Sequence, residues 1–543
     1  MNYEKNTKKY MDKFIFLLLS IYYEITFIMN NKPLAYSTTL NGDQLFHINR
    51  LHGLSKVFTS PIVFDNYHQV GNGVNYFYPW LTFYPAELLS KLLHSEARGI
   101  IVFLVIVTYL TFSVAYYSCK IYLNWNAKKS ILFSFLWTFS SYRGVNFFNR
   151  TDIGELLATI FIPLVLMSFI SLLKDKKYKN WIVLAIGMSL IMLSHILSTL
   201  MMIIVFILVM IMNSNYLKDI KIWVSLIISA VATSLMTMMY WLPMIQQQKY
   251  IGISRPAKVI LYDWALDMGN LINRSFNNNY LLPNLGIMVI MVILLGIIKF
   301  NELKNIDKII MVQSLIFLWL CTKYFPWQLL QETFFNYIQF PWRFIIVVTL
   351  FTSILGAKWI SKLNSKYIFI LIVAICISHY AFVLGLPEKN ALKINSDQSI
   401  ENICKEYTNQ DYYPKAATNN SKSIENKEFI FNSKNVSIAN LKIKATEYSF
   451  TVLNNNTHKV TVDVPILYYL GIKADSNNKL ISTNVSKRGT VSIDVEKGKS
   501  KITVYSEYTR LAKLAQKISL ISSILILIIG IVNFYRKRYI RLE

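Results

Sequence analysis

Long apolar stretches separated by short polar ones fill most of this chain. In order they cover about 14–29, 99–118, 131–148, 153–173, 181–196, 198–213, 221–245, 283–299, 308–323, 344–360, 367–386 and 516–534. A helix needs runs of this kind to cross a hydrocarbon core about 30 Å thick. The pattern predicts a polytopic α-helical membrane protein with twelve spans. Residues 181–212 hold no charge-bearing side chain other than His195. One helix that long overshoots a bilayer, so the block divides at "SHILST" (194–199) into a tight external hairpin. Residues 75–93, "NYFYPWLTFYPAELLSKLL", are apolar enough to imitate a span. Pro79 and Pro85 interrupt them, and a crossing there would invert every later loop. They are predicted to lie along the surface or to re-enter, with Tyr and Trp at the interface.

The period changes over 387–512. There "EFIFNS", "ANLKIKA", "YSFTVLN", "HKVTVDVPILYYLGI", "TVSIDVE" and "SKITVYSEYT" alternate in strand fashion between Asn-, Gly- and Lys-rich turns. That predicts a small antiparallel β domain. The chain divides into a membrane module over 1–386 with a long first external loop at 30–98, the β-rich region 387–512, and a last helix with a basic tail over 513–543.

The stretch "NGDQLFHINRL" (41–51) breaks the apolar logic. On a helix over 44–58 the 100° step gathers Phe46, Leu51, Leu54, Val57 and Phe58 on one face. Asp43, His47 and Arg50 point into that same face. Buried alone, such groups cost several kcal/mol or shift their pKa, so they must satisfy one another or face something polar.

Charge fixes the sidedness. Only 16% of residues are charged, yet the net charge is +26. No nucleic-acid signature accompanies this excess, which in an apolar chain marks cytoplasmic loops. One threading places Lys120, Lys128 and Lys129, then Lys174, Lys176, Lys177 and Lys179, then Lys358, Lys362 and Lys366, and finally the C-terminal cluster on the inside. Both termini are then cytoplasmic and the β region lies outside. Segment 14–29 follows Lys5, Lys8, Lys9 and Lys13 with no small-residue cleavage site after it, and reads as a retained anchor. Four cysteines without a CxxC pair indicate neither a disulfide framework nor a zinc site.

With this threading every unusual polar cluster falls on the outer face: Asp43, His47 and Arg50; Arg150, Asp152 and Glu155 in "FNRTDIGE" (148–155); His195; and Arg343 in "QFPWRF" (339–344). Each has a bland explanation. Asp43 suits an N-cap, Asp152 and Glu155 a capping pair, His195 an interhelical hydrogen bond, and the two arginines snorkelling. Together they suit one chemistry. A carboxylate takes a proton from an acceptor hydroxyl, and arginines hold a phosphate. A lipid-linked phosphosugar needs both, positioned in line.

The segments "NGDQLFHINRLHGLSKVF", "YFYPWLTFYPAELLSKLL", "SSYRGVNFFNRTDIGELLATIFIPLVLMSF", "IMLSHILS" and "QFPWRF" occur in the order found in YfhO-like bacterial membrane proteins, and the chain resembles that family over nearly its whole length. The family overlaps a group labelled as a 6-pyruvoyl-tetrahydropterin-synthase-related membrane domain, although nothing here resembles pterin chemistry. "DYYPKAA" (411–417) is similar to the group's acidic-Tyr-x-Pro segment, with Tyr413 where an aliphatic residue is usual. "VPILYYLGIKADSNNK" (464–479) resembles its outer β domain, where "YYPGW" is the usual spelling. The resemblance implies a GT-C architecture, polyprenyl-phosphate sugar donors and a catalytic acid in the first external loop, matched by Asp43. Some relatives decorate envelope polymers such as teichoic acids. Arg150, Asp152, Glu155, His195 and Arg343 match recurring motif positions.

The expected protein is therefore a membrane glycosyltransferase in a bacterial plasma membrane, working at the outer face on a cell-envelope acceptor. Asp43 is the base, Arg150 and Arg343 bind the lipid phosphate, and His47, Arg50, Asp152, Glu155 and His195 complete the substrate pocket. No cofactor is required, though Asp43 and His47, one helical turn apart, could ligate a divalent metal. The rival reading is a transporter or flippase for a lipid-linked or anionic solute. Spans 99–118, 283–299 and 344–360 hold no acidic or basic residue near their middles, which counts against it. A non-catalytic envelope scaffold is the third reading.

Overall fold

The computed structural model describes residues 2–28, 36–37, 43–254, 258–385, 391–392 and 397–539. The Asn41-Gly42 turn and the end of the basic tail lie outside the described residues. The chain is mostly helical, with a small β region near its C-terminus. Among the described residues five helices are long and apolar enough to cross a membrane: Glu96–Tyr122, Ile153–Lys174, Pro341–Ile360, Ser365–Leu384 and Arg510–Asn533. A sixth forms if Ile220–Met236 and Met238–Ile251, bent by 68° at their junction, count as one span. The other apolar runs fold as shorter helices. Trp181–Met192 and Ile287–Ile298 have 12 residues each and Ile196–Met212 has 17. At 1.5 Å per residue these reach about 18–26 Å, short of a core about 30 Å thick. Apolarity alone therefore does not fix how many of these runs cross.

The helix Ile153–Lys174 is the hub. It is buried along nearly its whole length and packs against Glu96–Tyr122 and Trp181–Met192. At the periphery, Arg510–Tyr539 leaves Leu520, Ile524, Leu525, Ile528 and Ile531 exposed. Such a surface fits a membrane protein and not an aqueous one.

Three sequence expectations change. The run 131–148 is not one helix: Ala127–Thr138 ends at Phe139, and the chain restarts as Ser141–Val145 followed by a π turn over Asn146–Arg150. Residues 75–93 do not lie along the surface. They form two short helices, Val74–Phe77 and Tyr84–Leu92, with Tyr76, Phe77, Trp80 and Phe83 buried in the protein. Hydrogen bonds pin the segment there: Thr82 Oγ1 donates to Leu193 O at 2.9 Å, and Tyr240 Oη to Phe77 O at 2.8 Å. The proposed helix over 44–58 stops early, at Gln44–His52, and tightens into a 3-10 turn over Gly53–Lys56.

The β region begins later than its polar composition indicates. Asp397–Glu406, Lys415–Thr418 and Ser421–Glu425 are helical, and the paired strands start at Ile430. One antiparallel sheet runs Ile430–Phe431, Val460–Leu467, Thr490–Val495, Thr483–Val485. The other runs Val436–Lys444, Glu447–Asn454, Gly498–Ser506, Ile472–Ser476, Lys479–Ile481. Alternate residues of both, among them Tyr448, Phe450, Val462, Val464, Ile493 and Val504, form a shared core. This unit is stitched to the first loop. Phe64 N–H donates to Ala445 O at 2.9 Å, Leu467 N–H to Val70 O at 2.9 Å, and Tyr508 Oη to Val57 O at 2.7 Å.

Gly471 sits at that seam with φ +103°, and a Cβ there would clash with Glu507 O. Gly498 has nearly the same conformation, φ +99°, with open space around it. Gly471→Ala should cost more than the roughly 1–3 kcal/mol of backbone strain alone, and Gly498→Ala no more than that strain. Thermal unfolding of the two variants in detergent checks it. Equal losses would mean that the close approach at Gly471 relaxes freely.

Candidate functional site

The segment Asn146–Asp152 builds the site. The π turn ends at Thr151, which adopts the left-handed conformation with φ 53°. Widened turns of this kind re-aim side chains and recur at functional positions. Here the turn brings Arg150 beside the first turn of the hub helix. Arg150 Nη1 donates to Glu155 Oε2 at 3.2 Å and to Asn146 Oδ1 at 2.9 Å, while Nη2 donates to Asp152 Oδ2 at 3.0 Å. Asp152 is also the N-cap of that helix, its Oδ1 accepting from Glu155 N–H at 3.0 Å. The capping role and the ion-pair role coexist because each uses a different oxygen. Tyr142 Oη donates to Glu155 Oε1 at 2.7 Å, and His195 Nε2 lies 4.0 Å from Asp152 Oδ2.

Asp43 reaches the same guanidinium from the first loop. Its Oδ2 lies 3.5 Å from Arg150 Nη2, and its backbone N–H donates to Arg150 O at 2.8 Å. Although Asp43 stands at the N-cap of Gln44–His52, its side chain makes no cap hydrogen bond. It keeps 46% of its side-chain surface open, against 3% for Asp152 and 0% for Glu155. Of the three carboxylates on Arg150, only Asp43 is free to meet a ligand.

The electrostatics separate the acids. Burial raises the Asp43 carboxyl, to about 6; Arg150 opposes this, and Asp152 and Glu155 reinforce it. Burial would also raise Asp152, but His195, Arg150 and Arg343 outweigh it and hold that carboxyl well below the ordinary range. Burial lowers His195 as well, so at neutral pH the arginines carry the effect.

His47 and Arg50 lie where the sequence put them, but they do not face a ligand. His47 Nε2 accepts from Ile153 N–H at 3.2 Å, and Nδ1 lies 3.1 Å from Arg50 Nη1. Burial and Arg50 push its pKa well below the usual imidazole value. A neutral ring has one acceptor nitrogen, which Ile153 N–H occupies, and its other nitrogen faces the Arg50 guanidinium inside the protein, so His47 is a poor partner for Asp43 in holding a metal. Among the described residues no three His, Cys, Asp or Glu side chains gather to hold a metal ion. Arg50 is 1% exposed, donates to Pro79 O at 2.6 Å and stacks 4.1 Å from the Tyr78 ring centre. The infolded segment around Tyr78 covers both residues. Arg343 is buried too, with Nη1 donating to Ile338 O at 2.7 Å and the guanidinium 4.8 Å from the Phe340 ring.

Asp43 and Arg150 open into a cleft of about 720 Å³, in the range of small-ligand sites. Its other walls carry residues that the sequence reading passed over: Asp263, Trp264, Asp267, Arg274, Lys323 and Trp342. Trp342 stacks between Phe340, at 5.2 Å, and Arg150, at 4.8 Å. The motif spelling "QFPWRF" draws attention to Arg343, yet Phe340 and Trp342 are the members that line the cleft. Asp263 and Arg274 stand on short helices, Asp267 at a helix cap and Lys323 in a connection, with no local pattern to mark them. Tyr142 lies in the same continuous motif as Arg150, so its proximity was the one available signal. No family model matches the chain, and no curated protein matches it.

Proposed function

We propose that the chain is a membrane glycosyltransferase that moves a sugar from a polyprenyl-phosphate donor to an acceptor hydroxyl of a cell-envelope polymer, at the outer face of a bacterial plasma membrane. The carrying observation is Asp43: a carboxylate released from its helix cap, half open to a cleft, and held against Arg150. The twelve-span topology with both termini inside belongs to this reading. Exposed apolar helix faces and the convergence of Asp43, Arg150, Asp152, Glu155 and His195 support it.

In the reaction, Asp43 takes the proton of the acceptor O–H as that oxygen attacks the anomeric carbon. The bond from that carbon to the phosphate oxygen breaks, its electron pair leaves with the phosphate, and configuration inverts. Arg150 orients Asp43, and Asp152, Glu155 and Asn146 fix Arg150.

One observation favours the transporter reading. Glu24 and Arg143 are each 2% exposed inside the helical bundle, and Glu24 Oε1 and Arg143 Nε lack hydrogen-bond partners. Ionisable side chains buried among helices with polar atoms left over are what a solute path needs, although Arg143 Nη2 also donates to Thr108 Oγ1 at 2.9 Å. Vesicles holding the purified protein, a polyprenyl-phosphate donor with labelled sugar, and envelope polymer on one side discriminate the two. Transfer predicts label covalently bound to polymer. Label that crosses the bilayer while still joined to the lipid would end the transferase reading.

A further inference from the structure

Resting on the transferase reading, the inference concerns which cations receive the donor's phosphate. The two arginines first suited to it are committed. Arg150 faces three carboxylates, Asp43, Asp152 and Glu155, all within 3.5 Å. One guanidinium against three acids leaves that corner without positive charge to offer an anion. Arg343 retains an unpartnered Nε, but that atom is buried and the residue does not line the cleft.

Two other cations line the same cleft. Arg274 lies on the helix Met268–Phe276, whose N-cap Asp267 bonds Asn270 N–H at 3.0 Å. Lys323 is tied to the segment just before that helix: Leu266 N–H donates to Cys321 O at 2.8 Å, and Lys323 N–H to Leu266 O at 3.0 Å. The backbone bridge places both residues on one connected wall, with Lys323 Nζ 5.2 Å from the Tyr262 ring centre. Asp263 and Asp267 share the wall, yet neither comes within 4.0 Å of Arg274 or Lys323, and neither cation forms an ion pair among the described residues. Asp43 and Arg150 line the cleft as well. The base and two uncommitted cations thus border one space.

We infer that Arg274 and Lys323 form the phosphate-binding subsite of this cleft, taking the phosphomonoester or phosphodiester of a lipid-linked donor and stabilising it as it leaves. Charge-assisted hydrogen bonds to phosphate oxygens are the strong ones, and an arginine supplies two in parallel.

The test is equilibrium binding of geranyl phosphate to the full-length protein in detergent, with inorganic phosphate as the second arm and geraniol as the uncharged control. Arg274→Gln and Lys323→Gln should each weaken geranyl phosphate binding about tenfold or more, the equivalent of one charge-assisted bond. Asp43→Asn should bind at least as well as the unaltered protein, because it removes a negative charge from the same cleft. Geranyl phosphate binding tighter than inorganic phosphate assigns the subsite to a lipid headgroup; equal affinities assign it to free phosphate and overturn the lipid-donor form of the inference. Unchanged affinity in both variants would overturn the subsite outright. Intact, Arg274-dependent binding in a protein that transfers no sugar would instead sink the transferase reading and leave the subsite standing.

Discussion

If the proposed function holds, Asp43→Asn should slow sugar transfer by roughly 10²–10⁴-fold, as expected for loss of a positioned general base, while the protein folds as before. The structure separates the two effects. Asp43 makes no cap hydrogen bond, and asparagine retains the backbone N–H that donates to Arg150 O, losing only the half-open ion pair to Arg150 Nη2. The rate of the unaltered enzyme should rise with pH through about 6 and level off above it. The base acts only when ionised, and burial sets the Asp43 carboxyl near that value. Stability has the opposite sign. A carboxyl raised by folding contributes stability that is full below its unfolded value, near 3.9, and is lost as pH climbs through about 6. Asparagine cannot ionise, so the variant should be no less stable than the parent at pH 7. Label incorporation against pH and thermal unfolding read the two effects independently. Transfer by the variant at the parental rate would remove Asp43 from the chemistry.

The odd polar residues on apolar patterns were legible in the sequence, because a charge on a greasy face must find a partner. Asp43, Arg150, Asp152, Glu155 and His195 meet for that reason. The break between Trp181–Met192 and Ile196–Met212 was legible too, since an unbroken run of that length outreaches a bilayer. Direction was not legible. The same helical step that puts His47 and Arg50 beside Asp43 cannot reveal that residues 76–84 fold in above them, a contact made across some thirty residues of loop. Hydropathy likewise reports how apolar a run is and not where its helix stops, so the π turn at Asn146–Arg150 was hidden at the end of a predicted span. The outer wall of the cleft was hidden for a third reason. Arg274 and Lys323 become informative only once the counter-ions of Arg150 have been counted in space.

That count makes Arg150 the residue whose loss should disturb the molecule most. Arg150→Met leaves three carboxylates facing one another, two of them buried. Removing one partner of a buried ion pair costs about 3–5 kcal/mol, and here the remaining groups also repel. In the parent, Asp152 is held below the ordinary carboxylate range, so its contribution to stability is present above that range and lost as pH falls. Without Arg150 the dependence inverts: the acids gain by taking up protons, and the variant should be least stable at neutral pH and recover as pH drops towards 5. Arg150→Lys keeps a charge but not the planar fork that spans Glu155 and Asp152, so it should recover part of the stability and little of the transfer. Adding Glu155→Gln to Arg150→Met relieves one repulsion while leaving an acceptor for Tyr142 Oη, and should raise thermal stability without restoring activity. Stability that falls with pH in Arg150→Met as it does in the parent would show that the cluster is not held by this guanidinium. Asp43 would then owe its position to the loop backbone alone.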